Sequence, residues 1–582
     1  MNVTACYHRA SDNYCYARTE DELIINLKTG YDVTQVYLHY GDPFAYGILG
    51  GKEGWQGERA TVFYRKHLSH QVWWTTTVKP PFKRLKYYFE LHTQEGVFFY
   101  LEDGIFTKEQ MEVPGKSLQC FTFPWMNPAD IAVTPNWVNE TIWYQIFPER
   151  FCNGDTSNDP KNTLPWHHGP VRNEEFYGGD LAGIKSKLPY LHELGINGIY
   201  LTPIFEATTA HKYDTTDYLK IDPQFGTNEE FKELVSQAHK LGIRIMVDGV
   251  FNHSGRLFGP WQDVLKHGPK SKYYDWFMVR EWPFDQSKRD TRDGKFYSFA
   301  FTSLMPKLNT NNEAVISYLL DICETWVREF DIDGIRLDVA NELSHQFNKA
   351  LRKRMRMLKP DFYLLGEIWH DAMHWLRGDE YDSVMNYPLT SSIQDFFIDK
   401  KQTKLDFEYT VNRCYTLYMT QQNDVLFNLL DSHDTKRLRN AAGTIDIFYQ
   451  QLALLFTMPG SPCIYYGTEV ALEGEHDPDC RRCMPWDEIE TGKHNENLHL
   501  VRSLIALRKT EPCLRSSYFH FPNLLAEQRV IEYIKLDENG QEIEVLLNCS
   551  DAPITIADDK QVLWQRLYHK KQLAPGGVVV RK

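Results

Sequence analysis

Four apolar segments of the chain end in polar side chains that could act as acids, bases or nucleophiles. The segments are Val247-Asp248-Gly-Val-Phe-Asn252-His253, Asp333-Gly-Ile-Arg336-Leu-Asp338, Leu364-Leu-Gly-Glu367-Ile-Trp369 and Leu429-Leu-Asp431-Ser-His433-Asp434. Each carboxylate alone is readily interpreted as a helix N-cap or a paired structural charge. Carboxylates, histidines and an arginine gathered at one place would repel and lose hydration, so their convergence indicates a functional site.

Paired carboxylates suit the cleavage of a glycosidic bond. The reaction passes through an oxocarbenium-like transition state, which needs one carboxylate to attack or stabilise and one carboxylic acid to protonate the leaving oxygen. Asp338 and Glu367 are candidates for these two roles. A retaining mechanism would place their carboxyl groups about 5 to 5.5 Å apart.

The elements around these residues indicate a parallel sheet. From Thr141 onward, short apolar runs alternate with segments of helical period, which is typical of βαβ units. Eight strands are predicted, at residues 142–147, 198–202, 243–250, 334–339, 363–368, 383–386, 426–430 and 463–466. This number favours a (β/α)₈ TIM barrel, in which the active site lies at the carboxyl ends of the strands. A doubly wound sheet is the alternative, but no Gly-rich phosphate-binding motif follows the first strand.

Changes of pattern along the chain predict three domains. Short alternating strands indicate an N-terminal β-sandwich over 1–125, and closely spaced prolines after Phe123 indicate a linker. The catalytic barrel is predicted over 136–507, with an inserted subdomain at about 254–311 where the pattern is too irregular for one helix. Strand patterns return over 508–582 and predict a C-terminal β domain, again as a sandwich.

Composition narrows the class of partner. The formal net charge is −14, and no Lys/Arg cluster of the kind that binds nucleic acid is present. No run approaches the ~18 apolar residues of a membrane span, and residues 1–10 lack the pattern of a signal peptide, so a cytoplasmic location is expected. Eleven dispersed cysteines favour reduced thiols. Aromatic residues make up 14% of the chain, and their flat faces suit sugar rings.

The four segments, in this order, resemble the four short motifs of the α-amylase superfamily. The resemblance spans about residues 141–507 and implies that Asp338 is the nucleophile, Glu367 the acid and base, and Asp434 the residue that binds substrate hydroxyls. It further implies that Arg336 orients Asp338. Substrate contacts are implied, directly or through neighbouring groups, for His211, Tyr213, Asp248, Asn252, His253, Val339, Glu342, Trp369, His433, Asp477 and Arg481.

Three further motifs resemble one group of that superfamily, the cyclomaltodextrinases, neopullulanases and maltogenic amylases. They are Met305-Pro-Lys-Leu308, Val339-Ala-Asn-Glu342 and Met385-Asn-Tyr-Pro388. The resemblance implies cleavage of α-1,4 and some α-1,6 links in cyclodextrins, short maltodextrins and pullulan, with transglycosylation as a side activity. It also implies a homodimer formed through the N-terminal domain.

A calcium site is predicted in the loop after the first strand. Asn153, Asp155, Asn158 and Asp159, together with Gly178 and Asp180, offer the hard oxygen ligands that calcium prefers. An Asx-rich loop without metal explains the composition about equally well, and the resemblance favours a structural calcium ion.

Two other functions remain open on the sequence. The same three carboxylates serve dedicated glucanotransferases, in which exclusion of water decides the outcome. A non-catalytic sugar-binding protein of the same fold is the second alternative, although here the three carboxylates are intact.

Overall fold

A computed structural model describes residues 1–45, 57–112, 119–556 and 559–582 of the 582-residue chain. Two compact units emerge from the contacts between residues. The first unit comprises Met1–Val133, Asp371–Gly378 and Lys400–Asn423, and the second comprises Thr134–His370, Asp379–Asp399 and Asp424–Lys582. The first unit therefore takes up two segments that lie far along the chain from its N-terminal part.

The first unit is built on two antiparallel sheets. One has the strand order Cys15–Ala17, Leu23–Thr29, Val72–Val78, Tyr64–His67. The other has the order Glu58–Val62, Val33–Gly41, Leu85–Thr93, Gly96–Leu101, Gly104–Thr107, and Phe121–Phe123 pairs with Leu85–Thr93. Inward-facing residues of both sheets, such as Ile25, Val36, Trp74 and Phe89, form one core. This arrangement confirms the predicted N-terminal β-sandwich. Helices Lys108–Met111, Lys404–Cys414 and Thr420–Asn423 complete the unit.

Eight parallel strands form the centre of the second unit. They are Trp143–Ile146, Gly198–Leu201, Arg244–Gly249, Gly334–Leu337, Tyr363–Gly366, Ser383–Val384, Phe427–Asn428 and Ser461–Tyr465. Each strand pairs with its neighbours in chain order, the eighth pairs with the first, and a bridge from Met385 to Phe427 links the sixth to the seventh. The sheet is thus closed, and the predicted (β/α)₈ barrel is confirmed.

Capped amphipathic helices connect these strands. Helix Asn228–Lys240 begins with a capping box between Thr227 and Glu230, and helix Glu313–Phe330 begins where Asn312 accepts two backbone N–H groups. The other helices of eight residues or more in this unit are Leu181–Leu194, Gly259–His267, His345–Leu358, Tyr387–Ile398, Ile445–Thr457 and Asn495–Thr510. Apart from Gly259–His267, which belongs to the inserted segment, they cover the outside of the barrel with their buried faces.

The segment after the third strand forms the predicted inserted subdomain. Helix Gly259–His267 is followed by irregular chain that is held by isolated bridges, including His253 to Lys307 and Ser298 to Pro306. Buried Trp261 packs against Phe277 and Phe296 at ring-centroid distances of 4.7 and 5.3 Å. A small aromatic core thus holds the subdomain together, and the bridge from His253 to Lys307 links it to the end of the third strand.

The C-terminal strands form one antiparallel sheet of six strands where the sequence predicts a sandwich. The order is Tyr518–His520, Val530–Leu536, Glu542–Asn548, Gln572–Arg581, Ile554–Thr555, and Val562–His569 also pairs with Gln572–Arg581. Within the described ranges, none of the helices has the length and apolar character needed to cross a membrane.

Candidate active site

Arg336 binds three carboxylates beneath the mouth of the barrel. It lies on the fourth strand, is fully buried, and donates from Nη1 to Oδ1 of Asp338 at 2.9 Å and to both oxygens of Asp248 at 2.9 and 3.0 Å. Its Nη2 lies 2.9 Å from Oε2 of Glu367. Because Asp338 and Glu367 bind adjacent nitrogens of one rigid guanidinium, their carboxyl groups are held in a fixed relation.

Glu367 follows the fifth strand, and both of its carboxylate oxygens have donors. Oε2 accepts the backbone N–H of Val339 at 2.9 Å, and Oε1 accepts the indole N–H of Trp369 at 3.1 Å. Trp369 stacks on Tyr387 with ring centroids 3.5 Å apart, yet half of it remains exposed. The carboxyl group is therefore oriented by a backbone amide, a cation and a stacked indole.

Asp434 follows the seventh strand and faces a second arginine. Its Oδ1 lies 3.4 Å from Nη2 of Arg481, which also lies 3.3 Å from Asp477, and its Oδ2 lies 3.2 Å from Nε2 of His433. Arg481 is fixed because its Nε donates to the carbonyl of His433 at 2.9 Å. The loop after the eighth strand thus supplies the cation opposite Asp434.

Burial controls the protonation of the cluster. Burial raises the pKa of Asp338, Arg336 opposes this effect, and the nearby carboxylates, Glu367 foremost, reinforce it. Burial likewise raises the pKa of Asp434, against the positive charge of Arg481. The site therefore binds a proton among these carboxyl groups more readily than exposed carboxylates would.

The histidines of the site are neutral at ordinary pH. Burial lowers the pKa of His253 to about 3 and that of His211 to about 4, and it lowers the pKa of His433 well below its usual value. Neutral imidazoles can exchange hydrogen bonds with hydroxyl groups without adding charge to the site. Such groups suit an uncharged, hydroxyl-rich ligand.

A cavity of about 470 Å³ opens over these groups. Most of the sequence-predicted residues line it: His211, Tyr213, His253, Asp338, Val339, Glu367, Trp369, Asp434, Asp477 and Arg481. This volume falls within the range of small-molecule binding sites. Residues that are far apart in the sequence therefore meet around one cavity.

The other predicted residues support the cavity without lining it. Asp248, Arg336 and His433 are buried beneath it, and the hydroxyl of Tyr213 connects them by lying 3.0 Å from Asp248 and 2.6 Å from Nε2 of His433. The ring of Tyr213 stacks on that of His433 at 5.5 Å.

Asn252 and Glu342 also lie outside the lining, and Lys307 joins them. Its Nζ donates to Oδ1 of Asn252 and lies 2.8 Å from Oε2 of Glu342. A lysine of the inserted subdomain thus ties the third strand end to the fourth.

Sequence reasoning missed several residues of this site. Asn173 and Phe299 line the cavity, and Phe299 stacks on His253 with ring centroids 4.9 Å apart. Gln145 is buried on the first strand, where its Nε2 lies 2.7 Å from Nδ1 of His433. A buried glutamine within an apolar strand is a signal that could have identified it, whereas a loop residue such as Asn173 carries none.

The loop predicted to bind calcium is compact. Asp180 caps helix Leu181–Leu194 and accepts the backbone N–H groups of Gly154 and Asp155 at 2.9 and 2.8 Å. Gly178 has φ of +80°, and a Cβ there would lie 2.2 Å from Oδ1 of Asp159. The side-chain oxygens of Asn153 and Asn158 are buried without a hydrogen-bond partner.

These features fit a hard cation. Buried amide oxygens without donors are acceptors that calcium can satisfy, and the carboxylate of Asp159 lies beside them. No cluster of three or more His, Cys, Asp or Glu suited to a metal occurs among the described residues. The set available here would consist mainly of amide and carbonyl oxygens.

Comparison with known proteins agrees with this geometry. The model of the α-amylase catalytic domain matches residues 145–499, and that of the α-amylase N-terminal Ig-like domain matches residues 1–127. A maltogenic α-amylase from Bacillus acidopullulyticus is 42% identical over 98% of this chain and 96% of its own length. A cyclomaltodextrinase from Geobacillus thermopakistaniensis is 44% identical over 97% of this chain and 94% of its own length.

A solved cyclomaltodextrinase structure superposes over the full length of both chains, with a TM-score of 0.89 and 39% identity. The arrangement of Asp338, Glu367 and Asp434 at the strand ends and these full-length similarities lead to one assignment. The chain belongs to the α-amylase family of glycoside hydrolases.

Proposed function

We propose that the protein cleaves α-glucosidic links with retention of anomeric configuration, with Asp338 as nucleophile and Glu367 as acid and then base. The observation that carries the proposal is the single guanidinium of Arg336, which binds Asp338 at 2.9 Å and Glu367 at 2.9 Å. Two carboxylates held this closely suit a covalent glycosyl-enzyme better than a mechanism that places a water molecule between them.

Each chemical step has a residue to perform it. Asp338 attacks the anomeric carbon and forms a glycosyl ester, while Glu367 gives its proton to the leaving oxygen. Oε2 of Glu367 faces Arg336 and accepts the N–H of Val339, whereas Oε1 accepts, among the described residues, only from the indole of Trp369, so we assign the transferable proton to Oε1. Glu367 then takes a proton from water, whose oxygen attacks the anomeric carbon, breaks its bond to the carboxylate oxygen and releases Asp338. Asp434 would bind ring hydroxyls, with the guanidinium of Arg481 beside it at 3.4 Å.

The proposed substrates are cyclodextrins, short maltodextrins and pullulan, cleaved at α-1,4 and some α-1,6 links, with transglycosylation as a side activity. The names of relatives and solved structures, among them a cyclomaltodextrinase, a neopullulanase and a pullulan hydrolase, support cyclodextrins and pullulan as substrates. Trp369 and Phe299 present partly exposed rings at the cavity, where they can stack on sugar rings. Neutral histidines are suited to uncharged hydroxyl groups.

Substitution of the acid tests the proposal. Glu367→Gln keeps the shape of the side chain and removes the proton donor, so we expect hydrolysis of β-cyclodextrin to fall by at least ~10²-fold with an unchanged far-UV circular dichroism spectrum. Retained turnover would refute the role of Glu367. If the wild-type protein converts maltotriose only to longer chains without new reducing ends, it is a glucanotransferase. If it binds maltotriose without turnover, it is a sugar-binding protein.

We further propose a structural calcium ion held by Asn153, Asn158, Asp159 and the carbonyl of Gly178, with Asp155 and Asp180 shaping the loop. The buried amide oxygens of Asn153 and Asn158 support it. The ion would rigidify the loop and take no part in the bond cleavage. Dialysis against a chelator is expected to lower the melting temperature, and calcium is expected to restore it. An unchanged melting temperature would refute the site.

A homodimer formed through the N-terminal domain and a cytoplasmic location complete the proposal. The similarity of the N-terminal region to the family domain supports the first. No disulfide bond occurs among the described residues, which supports a reducing compartment.

Analytical ultracentrifugation of the full chain and of a chain that begins at Thr134 tests the dimer, which we expect only for the full chain. Cell fractionation tests the location.

A further inference from the structure

A second cavity, of about 440 Å³, lies within the first unit and shares no lining residue with the catalytic cavity. Five parts of the chain form its wall: the N-terminal segment, strand Leu23–Thr29, the turn at 68–71, the segment at 371–373 and helix Lys404–Cys414 with its C-terminal end. Its volume is within the range of small-molecule sites. None of its lining residues takes part in the mechanism described above.

Cations dominate the lining of this cavity. Arg9, Lys28 and Arg413 contribute three basic groups, and Asp371 is the one carboxylate among the described lining residues. His70 adds a group that can become positive. The whole chain carries a net charge of −14, so the excess of positive charge at this cavity is opposite in sign to the net charge of the protein. Such an excess attracts anions.

Lys28 has no carboxylate partner among the described residues. Its ammonium group lies 5.9 Å from the ring centre of Tyr14 and 5.7 Å from that of Trp73. Burial lowers the pKa of Lys28, and the positive charge of Arg413 lowers it further. Asp371 of the same lining raises the pKa and so offsets part of this effect. An anion bound in the cavity would further relieve the repulsion between Lys28 and Arg413.

Arg9 retains donors for a ligand. Its Nη2 pairs with Asp12 at 3.2 Å, but Asp12 is shared with Arg377 at 2.7 Å. The Nε of Arg9 is buried and lacks a hydrogen-bond partner within the described part of the chain. Because a buried N–H without an acceptor is costly, an oxygen-rich ligand would stabilise this side chain.

Tyr7 supplies a flat apolar surface beside the cations. Its backbone pairs with that of Lys28 through two hydrogen bonds of 3.0 Å, and its ring packs edge-on against Tyr14 at 5.0 Å. About half of Tyr7 is exposed. A small ring next to an anionic group would therefore find both an aromatic face and its counter-charges.

We propose that this cavity binds a phosphate-bearing sugar, with Lys28, Arg9 and Arg413 binding the phosphate and Tyr7 contacting the sugar ring. Phosphate oxygens match the planar donors of arginine and the ammonium group of lysine. An uncharged glucan would bring no counter-charge to three cations that share only Asp12 and Asp371 as nearby carboxylates. Inorganic phosphate shares the charged part of this chemistry, so it forms a separate arm of the test.

Isothermal titration calorimetry of the full chain with glucose 6-phosphate tests the proposal. We expect saturable binding that Lys28→Gln and Arg413→Gln each weaken by at least about tenfold. Lys79→Gln removes one charge from an exposed lysine of the same unit, outside the cavity, and should leave binding unchanged. Lys28 is half-buried, so its substitution could weaken binding by disturbing the fold. Arg413 is exposed, so weaker binding in Arg413→Gln is not explained by a folding defect.

Two further titrations complete the test. Inorganic phosphate is expected to bind more weakly, with losses in the same two variants, and glucose is expected not to bind. The proposal is overturned if glucose 6-phosphate does not bind, if neither variant weakens its binding, or if glucose binds equally well.

Discussion

The backbone N–H of Val339 donates to Oε2 of Glu367 at 2.9 Å, and it does so from a left-handed backbone conformation with φ of 47° and ψ of 46°. A β-branched residue rarely adopts positive φ, because its side chain crowds the backbone there. The turn after the fourth strand is thus strained by about 1 to 3 kcal/mol at the point where it orients the proposed acid.

Val339→Gly is expected to relieve this strain. Glycine adopts positive φ freely, so the free energy of unfolding should rise by about 1 kcal/mol after the greater entropy of the unfolded glycine chain is subtracted. A looser turn should orient Glu367 less well and lower kcat by up to about tenfold. Urea unfolding and steady-state kinetics measure the two effects. A loss of stability above about 1 kcal/mol would show that the conformation is not strained.

Arg336→Lys is expected to impair catalysis strongly. Lysine keeps the charge but cannot bind Asp248, Asp338 and Glu367 with a planar fork. We expect kcat on β-cyclodextrin to fall by about 10²-fold or more and the melting temperature to drop. The matched control is Arg328→Lys on an exposed helix face, where Arg328 pairs with Glu324. Equal behaviour of the two variants would contradict the role given to Arg336.

Lys307→Met is expected to separate Asn252 from Glu342. Hydrogen bonds from a charged donor contribute about 1.5 to 3 kcal/mol, so kcat/KM should fall by about tenfold or more. Lys295→Met provides the control, because Lys295 lies in the same subdomain and pairs with the exposed Glu281. Steady-state kinetics on β-cyclodextrin compare kcat/KM of the two variants with that of the wild type. A loss of activity in both variants, or in neither, would exclude a specific role of Lys307.

Asp333 is expected to make stability depend on pH. Burial disfavours its ionised form, but His239, Lys359 and the N–H of Ile245 outweigh this, so the pKa of Asp333 is lowered below its ordinary value of 3.8. Its stabilisation is therefore complete above about pH 5 and is lost as the pH falls below 3.8 towards the lowered pKa.

Asp333→Asn removes the buried negative charge that Lys359 and Arg244 each approach at 2.9 Å, and it should reduce stability by about 3 kcal/mol at pH 7. The difference in urea midpoint between this variant and the wild type should shrink between pH 4 and pH 2.5. A difference that stays constant through that interval would contradict the lowered pKa.

The sequence allowed prediction of the barrel and of the residues at its strand ends. Asp338, Glu367 and Asp434 could be assigned to one site because parallel strands direct their carboxyl ends to the same face. Phe299 and Asn173 reach the cavity through irregular loops whose course depends on tertiary packing. The joining of residues 400–423 to the N-terminal sheets depends on contacts such as that of Asn13 with Thr416, and no local pattern reports them.

Mass spectrometry of the glycosyl-enzyme tests the central claim most directly. Glu367→Gln should still react with α-maltosyl fluoride, because fluoride leaves without protonation, and the missing base should slow release of the ester. Peptide mapping is expected to find a maltosyl group on the peptide that contains Asp338, at that residue. A maltosyl group on another side chain, or release of β-maltose without any labelled peptide, would contradict the account.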